Sequence, residues 1–210
     1  MDADSDWREF TDLGKVMVDH IEVVPTPVRM SVSVGGPAAL FVYDAQGREC
    51  GKDGAYIPGS TFETDESGNQ VISLPALESG EYRLVLHGAE DGGVCQLSVT
   101  EYKGLSEIFS ETKAVRIGPG QVLRSGMSVD TDLAVADFSD PEIPSDAEGK
   151  PLVYDFDGNG TTDDSDIAKV SVRWNAALGD ENYDPFYDLD GDGYIGILDI
   201  MAVVNSKSVP

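Results

Sequence analysis

Two twelve-residue stretches near the end of the chain place acidic and other oxygen-bearing side chains at the intervals expected of metal ligands. Residues 155–166 are DFDGNGTTDDSD, and residues 188–199, which begin 33 positions later, are DLDGDGYIGILD. A hard cation such as Ca²⁺ takes six to eight oxygen ligands, and a twelve-residue loop supplies them from positions 1, 3, 5, 7, 9 and 12 around a glycine at position 6. Because both stretches follow this pattern, the sequence predicts two calcium sites.

The predicted ligands are side-chain oxygens, apart from a backbone carbonyl at position 7 of each loop. In the first loop they are Asp155, Asp157, Asn159, Thr161, Asp163 and Asp166. In the second loop they are Asp188, Asp190, Asp192, Tyr194 and Asp199, with a water expected beside Gly196. The alternative is a pair of solvated acidic turns, because Asp-Gly and Asn-Gly are common turn signals. Two copies in register, each followed by an apolar helical pattern, favour calcium.

The residues around the loops indicate a family. Apolar residues at helical spacing follow each loop, whereas residues 149–154 (GKPLVY) are too short and too rich in Gly and Pro to form an entering helix. The two repeats are joined by residues 176–187 (AALGDENYDPFY). A duplicated calcium loop that keeps only its exiting helix resembles a type I-like dockerin, and the resemblance covers residues 151–208.

This resemblance implies a small all-α module that binds calcium in both loops, folds around it, and docks through its helices onto a cohesin-like protein module. Many cellulosomal dockerins have Ser-Thr at loop positions 10 and 11, where they contact cohesin. The implied partner face here is Asp164, Ser165, Ile197 and Leu198. Since these residues depart from Ser-Thr, the two repeats are not interchangeable binding faces. Packing of Ile197 and Leu198 within the module or on a neighbouring domain is the alternative.

Composition and charge limit the classes of function. The 210 residues include 39 Asp and Glu but 14 Lys and Arg, giving a net charge of −25 that repels nucleic acid and anionic membrane surfaces. No apolar run approaches the roughly 18 to 20 residues of a membrane span. The amino terminus does not resemble a signal peptide. Because dockerin-like loops suit extracellular calcium, we expect a mature or C-terminal part of a larger protein that is secreted or held at the cell surface.

The rest of the chain has the pattern of a β-sandwich. Residues 1–14 are a polar lead-in, and residues 15–133 contain roughly eight or nine short apolar segments at the spacing of a sandwich. Residues 134–150, rich in Asp, Pro and Ser, are expected to be a linker. The segments 41–48 and 80–86 resemble sandwich modules of the immunoglobulin-like and pre-peptidase C-terminal kinds.

Three features of this sandwich can be predicted in more detail. Apolar and polar residues alternate over residues 28–34, which indicates a strand with one buried face. Residues 54–68 are expected to form a long loop. Glycine-rich turns at residues 88–93 and 118–120 are expected to close hairpins.

The chain contains no motif that indicates catalysis, and we expect it not to be an enzyme. Its two histidines, His20 and His87, lie in predicted strands, where a structural or surface role is more common than that of a base. No nucleophile elbow, His-Glu-x-x-His, phosphate loop or Cys-x-x-Cys occurs. The sequence leaves open whether Cys50 and Cys95 form a disulfide or remain buried thiols.

Three functions are compatible with these observations. The leading one is a non-catalytic secreted pair of modules in which a calcium-dependent dockerin docks to a cohesin-like partner. The second is a self-contained, calcium-stabilised structural module of an adhesin, stalk or surface-layer protein, favoured by a large contact between the two modules. The third is a carbohydrate-binding accessory of a polysaccharide-degrading enzyme. It requires exposed aromatic side chains on the sandwich, and the candidates are Phe41, Tyr43, Tyr56, Tyr82 and Tyr102.

Overall fold

The structure is a computed structural model that describes residues 26–131 and 135–208. The predicted lead-in, residues 1–14, and the first apolar positions of the predicted sandwich, residues 15–25, lie outside the described residues.

Two antiparallel sheets make up most of the described chain, as the predicted β-sandwich requires. The first sheet has the strand order β5-β6-β1-β8-β9. Its strands are β1 (Val28–Gly35), β5 (Thr61–Thr64), β6 (Gln70–Leu74), β8 (Gly93–Lys103) and β9 (Ser106–Ile117). The second sheet has the order β11-β10-β7-β2-β3-β4. Its strands are β2 (Ala38–Tyr43), β3 (Glu49–Gly51), β4 (Gly54–Ala55), β7 (Gly80–Gly88), β10 (Val122–Asp130) and β11 (Val135–Phe138).

The core lies between the inner faces of the two sheets. In β1, Val32 and Val34 are buried while the intervening Ser33 is partly exposed, so the predicted alternation is confirmed. Strand β2 behaves differently because both of its faces are covered. Leu40 joins the sandwich core, whereas Phe41, the next residue, joins a second apolar cluster on the outer face of the second sheet. A continuous apolar run is typical of a strand that is buried on both sides.

The two cysteines occupy opposite sheets of this core. Cys50 lies in β3 and Cys95 lies in β8, and both side chains are buried free thiols. Of the two alternatives that the sequence left open, the structure has the reduced pair.

Three expectations about the sandwich are wrong. Residues 54–68 contain β4 and β5 instead of one long loop. The turns at residues 88–93 and 118–120 do not close hairpins, because β7 and β10 belong to the second sheet while β8 and β9 belong to the first. Each turn therefore carries the chain across the core. A glycine-rich turn permits either connection, and the choice depends on which distant strand each segment pairs with.

Residues 135–142, which belong to the segment expected to be a linker, instead pair with the second sheet. Strand β11 pairs with β10, and the Phe138 side chain is buried in the sandwich core. Farther along, Arg124 and Glu142 form a β-bridge, and their side chains form an ion pair of 3.2 Å. The predicted linker contains an apolar segment that completes the sheet, so the C-terminal module begins close to the sandwich surface.

Residues 151–208 contain two eight-residue helices, α1 (Asp164–Ser171) and α2 (Ile197–Val204), and a 3-10 turn at Pro185–Tyr187. Each helix begins inside the last positions of a predicted calcium loop. Helix α1 has a capping box, in which Asp163 accepts from the Ser165 N–H at 2.7 Å and Asp166 accepts from the Asp163 N–H at 2.9 Å. The ends of the loops are therefore also the starts of the helices.

Candidate calcium loops and their contact with the sandwich

The first position of each predicted loop holds the following turn in the same way. The Asp155 carboxylate accepts from the backbone N–H groups of Asn159 at 3.0 Å and Gly160 at 2.8 Å. The Asp188 carboxylate accepts from those of Asp192 at 3.1 Å and Gly193 at 2.8 Å. Gly160 and Gly193 have φ values of 92° and 84°, in the left-handed region where glycine is favoured. Glycine at position 6 of both loops therefore allows the sharp turn that the sequence predicts there.

The last position of each loop reaches back across it. Asp166 accepts from the N–H of Phe156 at 2.7 Å, and Asp199 accepts from the N–H of Leu189 at 2.6 Å. The other carboxylate oxygen of Asp199 accepts from the Gly196 N–H at 2.7 Å, as that of Asp166 does from the N–H of Asp163. The shorter stem of Asp at position 12 thus still links the second and ninth positions of the loop in both repeats.

Each loop is also tied to the segment that follows the other helix. The Asn175 N–H donates to the Ile195 carbonyl at 3.1 Å, and the Ser208 N–H donates to the Thr162 carbonyl at 2.9 Å. The two bonds are equivalent, because Ser208 lies 33 positions after Asn175 and Ile195 lies 33 positions after Thr162. The two repeats therefore support one another, and the duplication in the sequence is a duplication in structure.

Carboxylate oxygens converge in both loops. Oxygens of Asp155, Asp157 and Asp166 lie within 4.8 Å of one another, and so do oxygens of Asp188, Asp190 and Asp192. These clusters contain six of the eleven predicted ligands. Of the other five, Asn159, Thr161 and Asp163 are hydrogen-bonded to one another in the first loop, while Tyr194 and Asp199 lie in the second.

The first cluster is buried and unbalanced in charge. Burial, with the neighbouring Asp157 carboxylate as a smaller cause, raises the pKa of Asp155 to about 6 and that of Asp166 to about 7. Within the described residues, none of these three carboxylates forms an ion pair with Lys or Arg. An all-oxygen cluster of this kind suits a hard divalent cation, which would neutralise the charge.

The second cluster is more open to solvent. Asp190 and Asp192 are exposed, and Asp188 is partly buried. Burial of Asp188 is outweighed by hydrogen bonds from the Tyr183 hydroxyl, at 2.6 Å, and from backbone N–H groups, so the pKa of Asp188 is lowered. The loops thus share their internal hydrogen bonds but differ in environment.

The C-terminal module lies on the outer face of the second sheet. A buried apolar cluster joins four sandwich residues to six residues of the module, and they are Phe41, Tyr43, Val85, Val122, Phe156, Val170, Ala176, Tyr187, Ile195 and Val203. At its centre the His87 ring stacks on Phe186 at a centroid distance of 4.2 Å, and His87 Nε2 lies 2.7 Å from the carbonyl oxygen of Phe156. His87 is therefore structural, as the sequence favours. His20 lies outside the described residues.

Three ion pairs cross the same contact. Glu49 pairs with Lys169 at 2.5 Å, Asp53 with Arg173 at 2.6 Å, and Lys52 with Asp184 at 2.5 Å. The Arg173 guanidinium also lies over the Tyr187 ring, 4.2 Å from its centroid. The apolar cluster with these pairs beside it makes the contact between modules both extensive and specific.

The four predicted partner residues fall into two groups. Asp164 forms an ion pair with Lys207 at 2.7 Å, and the Ser165 hydroxyl donates to Asp157 at 2.9 Å, so both make bonds within the module. Ile197 and Leu198 are 56% and 63% exposed. They begin an apolar surface on α2 that continues through Met201 (42% exposed) and on to Val204.

Sequence reasoning missed Met201 and Val204, and it missed the sandwich residues that contact the module. A usable signal was present in both cases. Helix α2 (ILDIMAVV) is apolar around most of its circumference, which for a short surface helix indicates a second contact. The continuous apolar run in β2 indicates two buried faces.

The aromatic residues considered for sugar binding do not form an exposed row. Phe41, Tyr43 and Tyr82 are buried, and Tyr102 packs against the Arg29 guanidinium. Among these five candidates Tyr56 is strongly exposed, at 66%.

No protein-family model and no curated protein matches the chain. Among solved structures, this protein is similar to a chain from an interface mutant of a type II cohesin–X-dockerin complex of Acetivibrio cellulolyticus. The two chains are 16% identical, the match covers 82% of this chain and 83% of that chain, and the TM-score is 0.24. This protein is also similar to a domain of unknown function from Bacteroides vulgatus, with 13% identity, coverage of 50% and 95%, and a TM-score of 0.27. A third is the calcium-bound form of a protein from Parabacteroides distasonis, with 16% identity, coverage of 58% and 99%, and a TM-score of 0.26. These TM-scores are too low for anything about the site to follow from them.

Within the described residues, no helix has the length and apolar character needed to cross a membrane.

Proposed function

We propose that this chain is a non-catalytic, calcium-dependent protein-docking unit that works outside the cell. The observation that carries the proposal is the exposed apolar surface of α2, formed by Ile197, Leu198, Met201 and Val204. These side chains project from a helix that begins within the second acidic loop. Contiguous apolar surface beside a polar rim is typical of a protein interface.

In this proposal each loop binds one Ca²⁺. The ligands are those predicted from the sequence, and the two carboxylate clusters support their assignment. Without the cation, the first loop holds buried carboxylates against one another, which opposes folding of residues 151–208. Bound calcium removes this repulsion and holds α2 in place. An extracellular location supplies the free calcium on which such a device depends.

The partner that we propose is a cohesin-like protein module. The α1 side of the C-terminal module is occupied by the sandwich, so docking uses the α2 side. This assignment agrees with the unequal repeats in the sequence, where loop positions 10 and 11 are polar in the first repeat and apolar in the second. The partner is therefore expected to present an apolar surface with few charges at its centre.

A second candidate is favoured by a different observation. The buried aromatic cluster and three ion pairs between module and sandwich are what a self-contained structural clasp requires. In that case calcium would stabilise the end of a stalk, adhesin or surface-layer protein, and α2 would have no cohesin-like partner.

A binding assay distinguishes the two candidates. The chain would be passed over a panel of immobilised cohesin modules in calcium and then in excess chelator. Docking through α2 predicts calcium-dependent retention that the double substitution Ile197→Asp, Leu198→Asp abolishes. The matched control is Leu105→Asp, because Leu105 is 99% exposed on a turn of the sandwich. If the chain binds calcium but no cohesin retains it, the clasp is the better account.

A further inference from the structure

The two loops have the same internal hydrogen bonds but different surroundings at position 2. In the first loop this residue is Phe156, whose ring is buried against His87 and Tyr187. Its carbonyl oxygen lies 2.7 Å from His87 Nε2 on β7, while its N–H donates to Asp166 at 2.7 Å. A chain of two bonds thus runs from the sandwich to the last ligand of the loop. Leu189 is the equivalent residue of the second loop. Its carbonyl oxygen accepts no hydrogen bond from the described residues of the sandwich.

Position 4 shows the same asymmetry. Gly158 and Gly191 have φ values of 67° and 72°, so their backbones are alike. A Cβ at Gly158 would lie 2.9 Å from Cγ2 of Val85 and 3.4 Å from Cγ of Arg124. A Cβ at Gly191 would have nothing within 4 Å. The first loop therefore rests directly on the sandwich, and the second does not contact it at this position.

The Arg124 side chain strengthens this contact. Its Nη1 donates to the Gly158 carbonyl at 3.4 Å, while its other terminal nitrogen pairs with Glu142. Burial follows the same division, because Asp155 and Asp157 are buried whereas their equivalents in the second loop, Asp188 and Asp190, are partly buried and exposed.

We propose that the sandwich forms the outer shell of the first calcium site, so that this site belongs to the contact between the modules while the second site does not. This inference rests on the proposed calcium binding by both loops. His87 and Arg124 act as positioning residues, since they hold the Phe156 and Gly158 carbonyls rather than the cation. Val85 supplies the surface on which the loop closes. Calcium at the first site then stabilises the contact with the sandwich, and calcium at the second site acts beside α2.

The test is calorimetric titration of calcium into the full chain, with one loop disabled at a time. Asp188→Ala leaves the first loop to be measured, and Asp155→Ala leaves the second. Gly158→Ala is introduced in the former background and Gly191→Ala in the latter. Both substitutions carry the same cost of placing alanine at positive φ, but only the first meets Val85. We expect Gly158→Ala to weaken its site about tenfold more than Gly191→Ala weakens the other, as is typical when an outer shell is disturbed.

The second part of the test asks whether removing the Val85 side chain relieves its clash with the alanine introduced at position 158. Relative to Val85→Ala alone, Gly158→Ala should cost much less affinity when Val85 is also alanine, whereas Val85→Ala should leave the effect of Gly191→Ala unchanged. Equal losses in the two glycine variants, or no relief by Val85→Ala, would overturn the inference. Failure of the unsubstituted chain to bind two calcium ions would instead overturn the proposed function, so the two failures are distinguishable.

A milder variant covers the case in which Gly158→Ala does not fold, which circular dichroism in saturating calcium would reveal. Arg124→Gln removes the hydrogen bond to Gly158, and Arg116→Gln, on the exposed face of β9, is its control. We expect weaker binding at the first loop for Arg124→Gln alone. Unchanged binding at the first loop in this variant would also count against the inference.

Discussion

The rings of His87 and Phe186 lie parallel, 6° apart in plane and 4.2 Å apart in centroid, across the boundary between the sandwich and the C-terminal module. Phe41 lies on His87 as well, with its centroid 4.6 Å away. The imidazole ring of His87 thus packs as an aromatic ring within an apolar cluster. Burial lowers the pKa of His87 well below its usual value. It is neutral at physiological pH, with Nε2 donating its proton to the Phe156 carbonyl.

Substitution of His87 measures what this packing contributes. His87→Ala leaves a cavity in the aromatic cluster and should lower the free energy of unfolding by about 2 to 4 kcal/mol. His87→Phe keeps the ring and loses the hydrogen bond to Phe156, so it should cost about 1 kcal/mol. Urea denaturation in saturating calcium checks both values. Equal losses in the two variants would show that the hydrogen bond, not the packing, matters most.

The raised pKa values of the first loop make its behaviour depend on pH. Asp155 and Asp166 titrate at about 6 and about 7 in the folded, calcium-free protein, above the usual value of 3.8. The folded loop then binds more protons than the unfolded chain, so its stability without calcium falls as the pH rises from about 4 to about 7. Calcium displaces these protons. Calorimetry in buffers of different ionisation enthalpy should detect more protons released per chain at pH 5.5 than at pH 8, and equal release would contradict the assignment.

Glu101 offers an independent test within the sandwich. Its side chain is 1% exposed in β8, and neither carboxylate oxygen has a hydrogen-bond partner in the described structure. Burial raises its pKa, so its ionisation destabilises the folded state as the pH rises. Glu101→Met should therefore raise the free energy of unfolding at pH 8 by about 1 to 2 kcal/mol, with a smaller gain at pH 4.5.

The control for this substitution is Glu107→Met on the exposed part of β9, which should change stability by no more than about 0.5 kcal/mol. Both variants would be compared by urea denaturation at the two pH values. A loss of stability at pH 8 in Glu101→Met would mean that the carboxylate has a role in the fold that its surroundings do not reveal.

The features that could be predicted from the sequence are those set by local spacing. The loop ligands follow from their positions relative to one glycine, and the alternation along residues 28–34 places β1 with one face in the core. The helices after the loops follow from apolar spacing and from a capping box that uses loop residues. In each case the interacting residues lie within about one loop or one strand of each other.

The features that could not be predicted depend on distant partners. The turns at residues 88–93 and 118–120 look like hairpins, yet they carry the chain between sheets because β7 and β10 pair with each other. The apolar run that contains Phe41 indicates a second covered face, but the sequence does not identify residues 151–208 as the cover. The segment 134–150 is polar enough for a linker. Its residues 135–138 form β11 because they pair with the edge of β10 that β7 does not use.

The number of calcium ions bound per chain, counted by native mass spectrometry, decides whether both loops are calcium sites. The unsubstituted chain, the variants Asp155→Ala and Asp188→Ala, and the double variant would each be measured from a calcium-containing solution. The account predicts two calcium ions on the unsubstituted chain, one on each single variant, and none on the double variant. An unsubstituted chain without calcium, or single variants that still carry two ions, would contradict it.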